Sequence, residues 1–261
     1  MTHEPRQSSD AVDFLDRQAL VFSEQRRVGL ARLGLHPGDS VLDAGCGPAT
    51  DTFDLEDLVM PGGRVVGVDA DPAMIHTAIS RASERASSAE FSVADVHYLD
   101  YPDGTFDLAR CVLLLLHVED PLAVVQEMAR VVMPGGQVLS IDPDHQMTAV
   151  DASDPALSER VFRGRFAALT NPRIGRQLRG LFVAAGLVDV KVEAFTEVSV
   201  SWSEFDVLRP GQPTALDIAL AQGSASVSEV EDLKADLAGR DRDGRFFACS
   251  VRMRCQGTKP S

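Results

Sequence analysis

The sequence predicts a doubly wound α/β fold, an open sheet of mostly parallel strands with helices on both faces. Five apolar segments alternate with four helical patterns along the first part of the chain, which is the arrangement of consecutive βαβ units. The fourth apolar segment, Thr105 to Val118, is apolar almost throughout its second half. A strand of that kind is expected to be buried on both faces of a parallel sheet.

The elements follow one another in a regular order. An apolar spacing near 3.6 residues predicts a helix from Asp10, and Val41 lies in the first strand. The second strand ends at Asp69, and Asp71-Pro72 suits the start of the next helix because proline is tolerated in the first turn. The remaining predicted elements are a strand at Phe91 to Val96, a helix from Asp120-Pro121 to near Met133, a strand at Pro134 to Asp144, a strand at Leu187 to Val200, and a last, antiparallel strand at Gly244 to Gly257.

Composition and charge narrow the class of protein. The chain has 261 residues, 44% of them hydrophobic and 25% charged, and a net charge of −14. An acidic surface disfavours binding to nucleic acid and to anionic membranes. The four cysteines have no C-x-x-C spacing, the amino terminus has no signal-peptide pattern, and the longest apolar run is too short to cross a bilayer. We therefore expect a cytoplasmic protein that binds neither nucleic acid nor membranes.

The segment VLDAGCGPATD combines a strand end, a glycine turn and the start of a helix. Gly45 and Gly47 allow a ligand to approach the backbone closely, so this segment suits a nucleoside-bearing cofactor. A dinucleotide fingerprint needs a third glycine where Thr50 stands. Asp43 would repel an anionic pyrophosphate but suits a cationic ligand. Asp69 follows Gly45 by 24 residues, near the spacing of about 20 residues at which an acid meets a ribose.

Several segments in the right order now resemble one family. They are VLDAGCGPA, VVGVDADPAM, ADVHYL, FDLARCVLLLLHVEDP and MPGGQVLSIDPD. Together they resemble the class I S-adenosylmethionine-dependent methyltransferases, in the branch of ubiquinone, menaquinone and secondary-metabolite methyltransferases. The sequence departs from the family at Ala49, where a third glycine is usual, and at Leu116-His117, where a histidine pair is common. The resemblance implies a Rossmann-like sheet of seven strands, mostly parallel, with an antiparallel last strand.

The resemblance also implies one methyltransferase domain over residues 1–261. Residues 10–145 are expected to form its cofactor-binding half. Residues 146–180 and 203–243 are expected to be helical insertions that form a lid on the acceptor side. The implied cofactor is S-adenosyl-L-methionine, with S-adenosyl-L-homocysteine as the product, and no metal-binding motif is present.

Nine residues are predicted to bind the cofactor. Asp69 is expected to accept the ribose hydroxyls, Asp43 to lie near the methionine part, and Asp95 to accept the adenine amino proton. Met74 suits packing against adenine, although a plain core methionine explains it equally well. The predicted residues are Asp43, Gly45, Gly47, Asp69, Ala70, Met74, Asp95, Val96 and Cys111.

His117 and His145 are the candidate general bases. Both are predicted at the carboxyl ends of strands, where α/β sheets place their sites, and an imidazole can take a proton near neutral pH. A structural histidine is an equal alternative for each. Asp142 could orient His145 or bind a substrate hydroxyl, and Phe14 and Phe22 could close over the methyl group.

The predicted function is methyl transfer to an O, N or C atom of a small organic acceptor, a secondary or quinone-like metabolite, by a monomer or homodimer. Two alternatives stay open. One is a protein that binds the same cofactor without transferring methyl, such as a cyclase or a regulatory module. The other, less favoured, is an NAD-dependent oxidoreductase.

Overall fold

The structure is a computed structural model that describes residues 12–13, 15–16, 29–164, 166, 169–206 and 214–261. Most of the helix predicted from Asp10 lies outside these residues, and so do Phe14 and Phe22. The described part forms an open sheet with helices on both faces. None of its helices combines the length and the apolar composition that crossing a membrane requires.

The sheet has the strand order β3-β2-β1-β4-β5-β8, and both β7 and the two-residue β6 also pair with β8. Strands β1 to β5 run parallel, whereas β8 is antiparallel to both β5 and β7. The prediction of a mostly parallel sheet with an antiparallel last strand is confirmed. The strands are β1 Ser40–Ala44, β2 Arg64–Asp69, β3 Glu90–Val93, β4 Phe106–Val112, β5 Val132–Pro143, β6 Ala149–Val150, β7 Val188–Ser199 and β8 Ala248–Thr258.

The helices are amphipathic segments that cover the sheet or pack on one another. The helices that begin at Pro72 and at Pro121 each follow an aspartate. That aspartate accepts a backbone N–H of the first helical turn. The described helices are α1 Thr52–Val59, α2 Pro72–Arg85, α3 Pro121–Val131, α4 Pro155–Gly164, α5 Ile174–Ala184, α6 Trp202–Asp206, α7 Ala215–Ala221 and α8 Val227–Arg242.

The two predicted insertions differ in what they pack against. Helix α5 begins near the end of the range 146–180 and continues to Ala184. Its Ile174, Leu178 and Phe182 are buried in the main core with α3 and the sheet. This part of the predicted insertion is therefore a sheet-covering helix rather than a lid. Helices α4, α7 and α8 form a second apolar cluster with Phe246 and Ala248. That cluster joins the first predicted insertion to the second.

Strand β4 is shorter than predicted. It ends at Val112, and the leucines that follow form a turn rather than more strand. Leu113 has a φ of 55°, in the left-handed region, which ends the extended backbone there. Leu115 and Leu116 are nevertheless buried in the core. Their apolar character thus reflects a buried turn, and His117 lies in that turn rather than at the strand end.

Candidate cofactor-binding and acceptor site

The glycine turn after β1 is fixed to the end of β2. The backbone N–H groups of Gly45 and Cys46 both donate to the carbonyl oxygen of Val68, at 2.8 and 3.0 Å. Gly45 has a φ of 73°, and a Cβ built there would lie 2.9 Å from Cδ1 of Leu114. A side chain at this position would therefore meet both backbone strain and a steric clash. This cradle fits the close approach of a cofactor that the sequence predicts.

Asp69 stands at the end of β2, beside this turn. Its Oδ2 accepts the N–H of Gly47 at 2.9 Å, and its Oδ1 accepts the N–H of Asp71 at 2.9 Å. Asp71 in turn accepts the N–H of Ala73 at 2.8 Å and caps α2. The carboxylate predicted for the ribose is thus held next to the predicted glycines, and the helix cap falls to Asp71.

Asp43 belongs to a buried charge cluster that sequence reasoning missed. Its Oδ2 accepts the hydroxyl of Thr52 at 2.7 Å, and its Oδ1 lies 3.5 Å from Nε of Arg110. Arg110 also pairs with Asp51, the residue before α1. Burial raises the pKa of Asp43, and Arg110 opposes that rise. Although burial lowers it, the pKa of Arg110 is raised overall by the two carboxylates.

This cluster changes what Asp43 offers a cationic ligand. Its charge was expected to favour the sulfonium directly, but the Arg110 guanidinium balances much of that charge. Arg110 lies in strand β4, where Asp43 and Arg110 are paired in register. The sequence signal for it is an arginine in the middle of a largely apolar strand.

The remaining predicted cofactor residues fall into buried and exposed groups. Met74, Val96 and Cys111 are buried, whereas Ala70 and Asp95 are exposed. Asp95 accepts the N–H of His97 at 2.9 Å, and these contacts with His97 lower the pKa of Asp95. Burial raises the pKa of the Cys111 thiol, so only its backbone suits contact with a polar ligand group.

The two candidate bases have different surroundings. The side chain of His117 is exposed, and its backbone N–H donates to the carbonyl oxygen of Leu114 at 2.9 Å. His145 opens a short 3₁₀ turn directly after β5, and its ring stacks on Phe166 with centroids 3.8 Å apart and an interplanar angle of 7°. The stack fixes the plane of the His145 ring, whereas His117 faces solvent.

The turn that carries His117 is held by two polar side chains. Asn171 donates from its Nδ2 to the carbonyl oxygens of Leu115 and Val118, at 2.9 and 2.7 Å. Asp142, fully buried, accepts the N–H of Leu116 at 3.2 Å. Burial raises the pKa of Asp142 to about 7. Asp142 was considered as a partner of His145, and the structure instead shows it fastening the turn of His117.

Among the described residues, no group of three histidine, cysteine, aspartate or glutamate side chains is placed to hold a metal ion. The polar groups that converge on the glycine turn are carboxylates, which accept hydrogen bonds, and backbone amides, which donate them; both suit an organic cofactor with hydroxyl and amino groups.

A sequence profile described as "Methyltransferase domain" matches residues 35–169, slightly more than half of the chain. The chain belongs to this methyltransferase family. The predicted class I methyltransferase fold is confirmed, and so is S-adenosylmethionine as the predicted cofactor.

Curated relatives cover part of the chain. An uncharacterized 37.1 kDa protein in a transposon of Streptomyces fradiae is 36% identical over 192 residues, which is 72% of this chain and 55% of the relative. A demethylmenaquinone methyltransferase of Lactococcus lactis is 35% identical over 117 residues, covering 44% of this chain and 46% of that enzyme. The matched part therefore spans about half the length of these relatives.

The fold is shared with solved structures. The YcgJ protein of Bacillus subtilis superposes with a TM-score of 0.63 at 20% identity, and the match covers 92% of this chain and 99% of that protein. At this identity the likeness concerns the fold, and it extends well beyond residues 35–169.

Proposed function

We propose that this protein transfers the methyl group of S-adenosylmethionine to an O, N or C atom of a small organic acceptor. The observation that carries the proposal is the contact between the glycine turn after β1 and the carboxylate of Asp69. Asp69 is held at the end of β2 with its Oδ2 on the N–H of Gly47, in a chain of the methyltransferase family. The matched quinone methyltransferase supports a small acceptor.

Each cofactor residue has a role in this proposal. Asp69 accepts the ribose hydroxyls, and Gly45 and Gly47 admit the ligand to the backbone. Asp95 accepts the adenine amino group, while Met74, Val96 and Ala70 surround the adenine ring. The backbone of Cys111 and the balanced charge of Asp43 serve the methionine part.

When bound, S-adenosylmethionine supplies an activated methyl carbon for in-line displacement. The protein contributes mainly by aligning the acceptor and excluding water, an effect that can reach roughly 7–11 kcal/mol. His117 and His145 are the proposed bases that take a proton from the acceptor near neutral pH. The stacked ring of His145 is fixed in orientation, which suits a positioned base.

The proposal also covers the location of the protein, the class of its acceptor and its oligomeric state. All four cysteines are free thiols: Cys46, Cys111, Cys249 and Cys255. Free thiols are typical of cytoplasmic proteins, which supports a cytoplasmic location. The net charge of −14 supports a small molecule rather than a nucleic acid as acceptor. A monomer or a homodimer would serve equally.

The test is formation of S-adenosylhomocysteine together with a methylated product. The protein is incubated with S-adenosylmethionine and, in turn, a reduced naphthoquinone, a phenol and an amino alcohol. Turnover with one of them supports the proposal, and His117→Ala or His145→Ala should then slow it without changing cofactor affinity. Cofactor binding with no product from any acceptor class would favour the alternative of a protein that binds S-adenosylmethionine without transferring methyl.

A further inference from the structure

A cavity of about 70 Å³ lies on the face of the sheet that carries Asp43 and Arg110. It is bounded by β4, β5, β7 and β8 and by the described residues 29–33. Its walls are largely apolar and include Val112, Ile141 and Phe195. An apolar chamber of this size holds one end of a small molecule, since a cavity that holds a whole benzene measures about 150 Å³.

Two polar side chains from the last strands face this chamber. Glu197 of β7 and Arg252 of β8 line it and form an ion pair at 2.7 Å, with side chains only 13% and 15% exposed. Glu197 also accepts the hydroxyl of Ser250 at 3.2 Å. Burial raises the pKa of Glu197 against the opposing effect of Arg252. Burying an ion pair in a mostly apolar chamber costs desolvation free energy, so such a pair contributes little to stability. This pair is therefore a candidate for a role in binding.

The chamber adjoins the cofactor site through a second ion pair. Arg110 and Asp51 also line it, and Arg110 is the same residue that approaches Asp43. Asp51 follows the glycine turn by four positions and precedes α1. A molecule held in the chamber would therefore lie next to the cradle that we assign to the cofactor.

The charges of the chamber indicate what kind of group it takes. Among the described lining residues, Glu197 and Arg252 offset each other's charge, so a neutral group beside them needs no further counter-ion. A neutral hydroxyl can donate to the carboxylate of Glu197 and accept from the guanidinium of Arg252. Phe195 and the aliphatic walls suit a ring behind that hydroxyl.

We propose that this chamber is the acceptor subsite, and that Glu197 and Arg252 select an acceptor with a hydroxyl group on an aromatic ring. The inference rests on the proposed methyl transfer and specifies the chemical class of its acceptor. Glu197 and Arg252 act here as specificity residues that bind one end of the acceptor.

The test compares phenol with toluene, which has the same shape but no hydroxyl donor. The protein is saturated with S-adenosylhomocysteine, and each probe is titrated by ligand-observed NMR. We expect phenol to bind at least about tenfold more tightly than toluene, the effect of one well-made hydrogen bond. The double variant Glu197→Met/Arg252→Met replaces the pair with apolar side chains, a change that folds commonly tolerate, and should reverse the preference.

A matched control lies on the same two strands. Glu193 and Arg254 form an ion pair at 3.3 Å and are not among the residues that line the chamber. Glu193→Met/Arg254→Met should therefore keep the preference for phenol. The single variant Glu197→Gln keeps the side-chain size and should lower the preference several-fold, which provides a second reading if the double variant does not fold.

Calorimetry with S-adenosylhomocysteine on the same samples distinguishes failure of the proposed methyl transfer from failure of the proposed acceptor subsite. Absence of binding would contradict the proposed function itself. Normal binding with equal affinities for phenol and toluene, or with no binding of either probe, would overturn the subsite alone. An unchanged phenol preference in a folded Glu197→Met/Arg252→Met protein would also overturn it.

Discussion

The N–H of Gly47 donates to Oδ2 of Asp69 across 2.9 Å, so the glycine turn after β1 is fastened to the acidic end of β2. One carboxylate therefore sets the conformation of the turn and also stands where a ribose is expected. This double role explains why the spacing between the glycines and the acid matters. A change at Asp69 should disturb both the ligand contact and the shape of the turn.

Replacing Asp69 should remove most of the affinity for the cofactor. Asp69→Ala deletes the acceptor of the Gly47 N–H and the proposed acceptor of the ribose hydroxyls. Hydrogen bonds to a charged group contribute about 1.5–3 kcal/mol each, so S-adenosylhomocysteine should bind at least about a hundredfold more weakly in calorimetry. The control is Asp71→Ala, which removes a helix cap and should cost about 1 kcal/mol of stability with little effect on affinity. Wild-type affinity in Asp69→Ala would refute the placement of the ribose.

The buried arginine of β4 should be essential for stability. Arg110→Met removes the cation that Asp43 and Asp51 share. Breaking a buried ion cluster by removing one partner typically costs about 3–5 kcal/mol, because a charge is left without compensation. Arg64→Met serves as the control, since Arg64 and Glu90 form a half-exposed pair at 2.8 Å that should contribute at most about 1 kcal/mol. Urea denaturation of both variants gives the comparison, and equal losses would contradict the role of Arg110.

The pKa of Asp142 should make stability depend on pH. Burial raises it to about 7 in the folded protein, whereas an unfolded aspartate has a pKa near 3.9. The folded state binds this proton more tightly, so the stabilisation is present below pH 4 and is lost as the pH rises toward 7. Relative to Asp142→Asn, the wild type should lose roughly 4 kcal/mol of unfolding free energy across that range. Urea denaturation at several pH values measures this difference, and a constant difference would count against it.

The amide of Asn171 should be needed to hold the turn of His117. It donates to two carbonyl oxygens, Leu115 and Val118. Asn171→Asp replaces the donor with an acceptor and should destabilise the protein more than Asn171→Ala, which only leaves the carbonyls unpaired. Hydrogen exchange of the amides in residues 115–118 should be faster in both variants. If both variants were as stable as the wild type, the amide donor would be unimportant.

The sequence predicts the parts of the site that are local in the chain. Gly45 and Gly47 and the acid Asp69 belong to a strand-turn-helix pattern whose spacing is set by one βαβ unit. The structure places Asp69 beside Gly47 with no need for distant contacts to explain it. The parallel sheet follows in the same way from the alternation of apolar segments and helical patterns.

The remaining features depend on strand register and tertiary packing. Arg110 meets Asp43 only because β1 and β4 pair in a particular register, which one sequence does not reveal. The end of β4 was predicted too late because Leu115 and Leu116 are buried in a turn, and burial alone does not distinguish a turn from a strand. Glu197 and Arg252 likewise meet only because β7 and β8 pair with each other in a particular register.

Parallel calorimetric titrations with S-adenosylmethionine, S-adenosylhomocysteine and NAD test the central claim most directly. The account predicts that the first two ligands bind in the micromolar range and that NAD does not bind. Binding of NAD without either S-adenosyl compound would contradict the assignment of the glycine turn and Asp69, and with it the proposed methyl transfer.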